Sequence, residues 1–92
     1  MKYVLLGHLS EGWAAQHDKR VKAARDKLKK LGIKLQAVHY TQGQYDFVDV
    51  VDTPNPEALL AFSVWYAQNG FGRIQSLPAF DNAAMQKALK AK

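Results

Sequence analysis

The strand at the start of the chain constrains the fold most. Residues 2–9 carry Leu5 and Leu9 on one face and Val4 and Leu6 on the other, so the strand is apolar on both sides. The run Phe47-Val48-Asp49-Val50-Val51 is two-sided as well, apart from its central carboxylate. A sheet built from such strands needs cover on both faces. With 92 residues the chain makes one domain. Two helices cover one face, and no residues remain for a second full layer. A second copy of the chain is the economical cover, since two-fold pairing is the commonest assembly. A domain of this size buries only roughly two thirds of the surface its unfolded chain exposes, so self-association also adds stability. A homodimer or higher homo-oligomer is expected.

The remaining elements follow from punctuation and period. Ser10 is positioned to cap a helix. Trp13, His17, Val21, Ala24, Leu28 and Leu31 then recur at steps of three and four, which makes one helical stripe. Gly32 ends that helix. Residues 33–41 and 44–51 read as strands around a Gln42-Gly43 turn. Thr53-Pro54-Asn55-Pro56 breaks the third strand, and Pro56 opens a second helix that runs to about Asn69. Gly70 stops it. Residues 71–80 form the fourth strand, where Pro78 is best tolerated at a sheet edge. Asp81 or Asn82 caps a short final helix with Met85 and Leu89 on one side. The order is βαββαβ with a tail, an α+β ferredoxin-like arrangement, with a domain over 1–80 and a helical tail over 81–92.

Composition removes several function classes. There is no cysteine, hence no disulfide framework and no thiolate chemistry. The opening apolar run is too short for a signal segment or a membrane span, and the protein reads as cytoplasmic with no membrane partner. The formal net charge is +5, and Lys19, Arg20, Lys22, Arg25, Lys27, Lys29 and Lys30 supply much of it. This run reads as the solvated face of the first helix. Nucleic-acid binding through it carries low weight, because no base-stacking motif accompanies the charge. The three histidines lack metal-ligand spacing, and no metal site is expected. Phosphate-loop and dinucleotide glycine patterns are absent. Nothing in the sequence specifies a cofactor, and haem and flavin both stay open.

The hairpin sorts the site candidates. With a two-residue loop, Thr41 pairs with Gln44. Ile33, Leu35, Ala37 and His39 then lie opposite Asp52, Val50, Val48 and Asp46 on a face that receives the helices. Lys34, Gln36, Val38 and Tyr40 lie opposite Val51, Asp49, Phe47 and Tyr45 on the open face. A carboxylate in a central strand must find a donor, a cation or water, or stay protonated, so Asp49 stands out. One reading makes it the polar group of a cleft lined by Tyr40, Tyr45 and Phe47, with Gln36 and His8 nearby. The other makes it half of a buried ion pair across the dimer interface, with Lys34 or Arg73. His39 beside Asp46 is either an oriented general base or a packing histidine. Asp49, His39 and Asp46 are thus the catalytic candidates. Trp13, Trp65, Tyr66 and His17 read as core or structural residues.

At Thr41-Gln42-Gly43-Gln44-Tyr45-Asp46-Phe47-Val48 the sequence resembles the GYD domain family, whose name records the residues matched by Gly43, Tyr45 and Asp46. Tyr3-Val4-Leu5-Leu6-Gly7 is similar to the family's opening strand. Gly32, Asp52-Thr53-Pro54 and Leu77-Pro78-Ala79-Phe80 continue the likeness in order. The chain departs from the family at Asp49, where an apolar residue is usual, and in its tail after Phe80. The resemblance implies a ferredoxin-like fold of the dimeric α/β-barrel superfamily, whose relatives include cofactor-independent monooxygenases, haem-degrading enzymes, isomerases and ligand-sensing domains. Fold does not carry function. Two functions stand side by side: a binding module for a small, partly apolar molecule, and a cofactor-independent oxygenase-like or isomerase-like enzyme.

Overall fold

The computed structural model describes residues 1–91. Four strands, β1 (Lys2–Leu9), β2 (Lys34–Tyr40), β3 (Phe47–Asp52) and β4 (Gly72–Pro78), alternate with α1 (His17–Lys30) and α2 (Pro56–Gln68), and α3 (Asn82–Lys90) follows. They form one antiparallel sheet in the order β2-β3-β1-β4. The two strands most apolar on both faces, β1 and β3, are therefore central, and Pro78 ends an edge strand, as the sequence predicts.

Local chemistry explains the helix limits. Asn55 caps α2, its Oδ1 accepting from the Ala58 N–H at 2.8 Å, and Pro56 occupies the first turn. Asp81 caps α3 in the same way, accepting from Ala84 at 2.8 Å. Gly32 leaves α1 with φ of 73°, a conformation that other residues resist. The first helical segment departs from expectation. Trp13–Gln16 is a short 3-10 helix, α1 proper starts at His17, and the Ser10 side chain caps neither. The Ser10 backbone instead ties this segment down, its N–H donating to the Phe71 carbonyl at 3.0 Å and its carbonyl accepting from Trp13 at 3.2 Å.

Leu5, Phe47 and Val51 face the helices and meet Leu28 of α1 with Leu59, Phe62 and Tyr66 of α2, all buried. Phe62, Trp65, Tyr66 and Phe71 pack ring against ring, so the aromatic spacing of α2 reports core as expected. Trp13 does not join them and is 43% exposed.

The hairpin corrects the predicted register. Tyr40 pairs with Phe47 and Val38 with Asp49, two residues away from the two-residue-loop pairing. The connection is longer than Gln42-Gly43: the Thr41 N–H donates to the Asp46 carbonyl at 2.9 Å, and its hydroxyl to the Tyr45 carbonyl at 2.6 Å. A β-bulge at Gln36 adds a further slip, so that Leu35 pairs with Val51 and Ala37 with Val50. The bulge brings Leu35 to the same side as Val38 and Tyr40.

That two-residue slip keeps the same residues together, but the helices cover the face expected to be open. Phe47, Asp49 and Val51 lie under the helices, and Val48 and Val50 lie on the open side with Val4, Leu6 and Leu77. Among the described residues, no helix packs on that open side. The physical reason lies in β1. Leu5 and Gly7 stand opposite Asp49 and Phe47, and Gly7 is the only residue that leaves room for the Phe47 ring. No helix of the described residues is long and apolar enough to cross a membrane.

Candidate functional site

Under α1 the sheet leaves a cavity of about 50 Å³, enough for a few water molecules or a small head group. Phe47, Asp49, Val38 and Tyr40 form its floor; Arg20 and Arg25 come from α1, and Phe62 and Tyr66 from α2. Apolar side chains make up most of the lining, with a few polar groups converging on it, which is the usual composition of a ligand pocket. Tyr40 is 55% exposed and also borders a larger hollow beside Trp13 and His17, so it stands at the mouth.

Asp49 is the least satisfied group of the site. Its Oδ1 is buried and accepts no hydrogen bond from the described residues. Burial pushes its pKa up to about 7, with the charge of Arg25 pulling the other way. Lys34 pairs with Asp52 and Arg73 with His8 on the sheet ladders, which puts both on the open face, and the sheet itself separates them from Asp49. Burial also pushes the Tyr66 hydroxyl up to about 12, against the pull of Arg20 and reinforced by Asp49 and Tyr40.

Arg20 is only 3% exposed, which overturns the reading of the basic run as a uniformly solvated face. Its Nη1 donates to the Trp13 carbonyl at 3.1 Å, and its Nη2 lies 3.0 Å from His17 Nδ1. It forms no ion pair among the described residues. The signal was present in the sequence. His17, Arg20 and Ala24 are spaced three and four apart, on the inward stripe, and Arg25 lies four after Val21. Charge alone assigned Arg20 to solvent, whereas Arg25 borders the cavity from an exposed position.

The other candidates scatter. His39 pairs with Val48 on the open face and is exposed, so it is not beside Asp46. Asp46 is a loop residue whose Oδ2 accepts from the Leu9 N–H at 2.7 Å, a structural bond that ties the loop to the end of β1. Tyr45 is not the neighbour of Tyr40. Its ring lies 4.8 Å from His8 and its hydroxyl donates to Gln75 Oε1 at 2.9 Å. Tyr40 instead meets His17 edge-on at 5.3 Å. Gln36 is exposed at the bulge. Of the sequence candidates, Asp49, Tyr40 and Phe47 share the cavity, whereas Tyr45 and His8 form a separate pair and Gln36 stands alone. No group of three or more His, Cys, Asp or Glu suited to a metal ion occurs among the described residues.

A family model described as GYD domain matches residues 3–89. No curated protein and no solved structure matches the chain significantly.

Proposed function

The chain belongs to the GYD domain family, and we propose that it is a binding module that takes a small, partly apolar molecule into the cavity between the helices and the sheet. The observation that carries this reading is the buried, unpartnered Oδ1 of Asp49, set in an otherwise apolar pocket. A buried polar oxygen without a partner is costly, and a ligand that hydrogen-bonds with it removes the cost. Phe47, Phe62 and Val38 would hold the ligand's apolar part, and Tyr40 would close over it at the mouth. Native mass spectrometry of freshly isolated protein tests the reading by reporting co-purified molecules. Retention of a small molecule by the wild type and its loss in Asp49→Asn supports the assignment. An affinity unchanged by that substitution removes Asp49 from the site.

One observation favours a second reading, proton transfer. A carboxyl with a pKa of about 7 in an apolar pocket is matched to a general acid or base at neutral pH. In this reading Asp49 takes a proton from an activated carbon and returns it elsewhere on the same molecule, with no cofactor. His39 and Asp46 have no part in it. Protein-catalysed deuterium exchange into a 1,3-dicarbonyl probe, abolished in Asp49→Asn, is the expected signature; exchange at the buffer rate excludes it.

The open sheet face supports a further element of the proposal, self-association. Val4, Leu6, Val48, Val50 and Leu77 form a contiguous apolar strip that no described helix covers. A second copy covering this strip satisfies both faces of the sheet.

A further inference from the structure

The geometry points to a small organic carboxylate with an apolar body as the ligand class of the pocket, its head group held by Arg20. This inference rests on the reading of the cavity as a ligand site and specifies what enters it. A guanidinium carries five N–H donors and a permanent charge. The partners of Arg20 are the Trp13 carbonyl, His17 Nδ1 and the Tyr66 hydroxyl, all of them neutral. A charge withdrawn from water with only dipoles around it is unfavourable, and an anion is the natural complement. Buried arginines without an acidic partner therefore point to a missing counter-ion in a way that surface lysines do not.

The surroundings narrow the class. Arg25 lines the same cavity, so two guanidinium groups face a single carboxyl, Asp49. While Asp49 is protonated, the cavity is net positive, and its carboxyl can donate to the incoming anion. One carboxylate oxygen then accepts from Arg20 and the other from the Asp49 carboxyl, which satisfies the acidic group as well. The planar fork of Arg matches a planar carboxylate. A phosphate fits less well, because no glycine-rich loop is present to supply backbone N–H groups. The remaining walls, among them Val21, Leu28 and Leu35, are apolar and suit a hydrocarbon or aromatic body.

Chemical-shift titrations of isotope-labelled protein with benzoate, benzamide, benzamidinium and inorganic phosphate test the inference. At pH 6 benzoate is expected to shift the Arg20 Nε–H and the Ala24 and Phe47 amides saturably, at least tenfold more tightly than benzamide. Between pH 6 and pH 8 its affinity falls by about tenfold as Asp49 loses its proton. Asp49→Asn is expected to weaken benzoate binding at pH 6 and to remove that pH dependence, and it serves if Arg20→Gln fails to fold. Tightest binding by benzamidinium or phosphate, or benzoate no tighter than benzamide, overturns the carboxylate assignment and leaves the pocket as a site. If none of the probes shifts a pocket residue at millimolar concentration, the pocket reading falls with it.

Discussion

Gly7 lies directly opposite Phe47 on the β1–β3 ladder, and the Phe47 ring occupies the space that a Cβ on Gly7 would need, 2.0 Å from its nearest atoms. The floor of the pocket thus depends on a missing side chain in the neighbouring strand. In Gly7→Ala the ring must move, and the adjacent cavity is the available direction. Overpacking of this kind costs about 1–3 kcal/mol, and each kcal/mol lowers the melting midpoint of a domain this size by about 4–8 °C. A thermal melt of Gly7→Ala is expected to show that drop, with Phe47 shifts propagating to Asp49. An unchanged midpoint contradicts the close approach.

The sequence made the order of elements legible because its signals are local: Pro56 and Asn55 at a helix start, Gly32 at a helix end, a three-and-four stripe in α1. The site was half legible. Asp49 stood out because a carboxylate breaks an apolar strand, and Phe47 and Tyr40 were correctly grouped with it. What failed was non-local. Six residues, Thr41 to Asp46, separate the paired strand ends, and a bulge at Gln36 changes which residues share a side. Neither leaves a strong mark in the sequence: the two-residue slip changes cross-strand partners while keeping faces, and the bulge moves Leu35 to the other side. Arg20 was missed for a related reason. Its charge outweighed its position on the inward stripe, although position decides where a helical side chain points.

Asp49 makes stability depend on pH in a defined direction. Its pKa rises from 3.8 to about 7 on folding, chiefly through burial. Across that interval the folded state holds a proton that the unfolded state has released, so stability falls as pH rises through the window. Arg20, Arg25, Tyr40 and Tyr66 are the other charged or titratable groups that line the cavity. Asp49→Asn keeps the shape without the charge. It is expected to match the wild type near pH 4 and to exceed it at pH 8 by up to about 4 kcal/mol. Denaturant melts at the two pH values provide the measurement. A constant difference, or a wild type favoured at pH 8, would show that Asp49 ionises freely in the folded protein.

α3 contributes little to the fold of its own chain. None of its residues from Asn82 to Lys90 is buried, and Met85 and Leu89 are 55% and 70% exposed. Isolated helices shorter than about 12–15 residues are marginal in water, so the Asp81 cap alone does not make this segment a source of stability. A chain ending at Phe80 is expected to melt within about 4 °C of the full chain, equivalent to under about 1 kcal/mol. Calorimetry of both chains decides it, and a larger fall means that α3 is docked somewhere, either on its own domain or on another copy.

The open sheet face separates the two roles that an antiparallel sheet can combine. Its Val48 and Val50 face away from the pocket, while their neighbours Phe47, Asp49 and Val51 face into it. A charge introduced on the open side therefore reaches the assembly without touching the site. Val50 pairs with Val4 across the centre of the sheet, the position that a second copy would bury most deeply. Burying a valine side chain is worth about 1.5–3 kcal/mol, and leaving a lysine unpaired in its place costs more. Val50→Lys is expected to reduce the sedimenting mass to that of one chain at micromolar concentration. Its melting curve should remain cooperative, and its Asp49 titration should keep a midpoint near 7. A wild type that already sediments as a single chain rules out the second copy as the cover of this face.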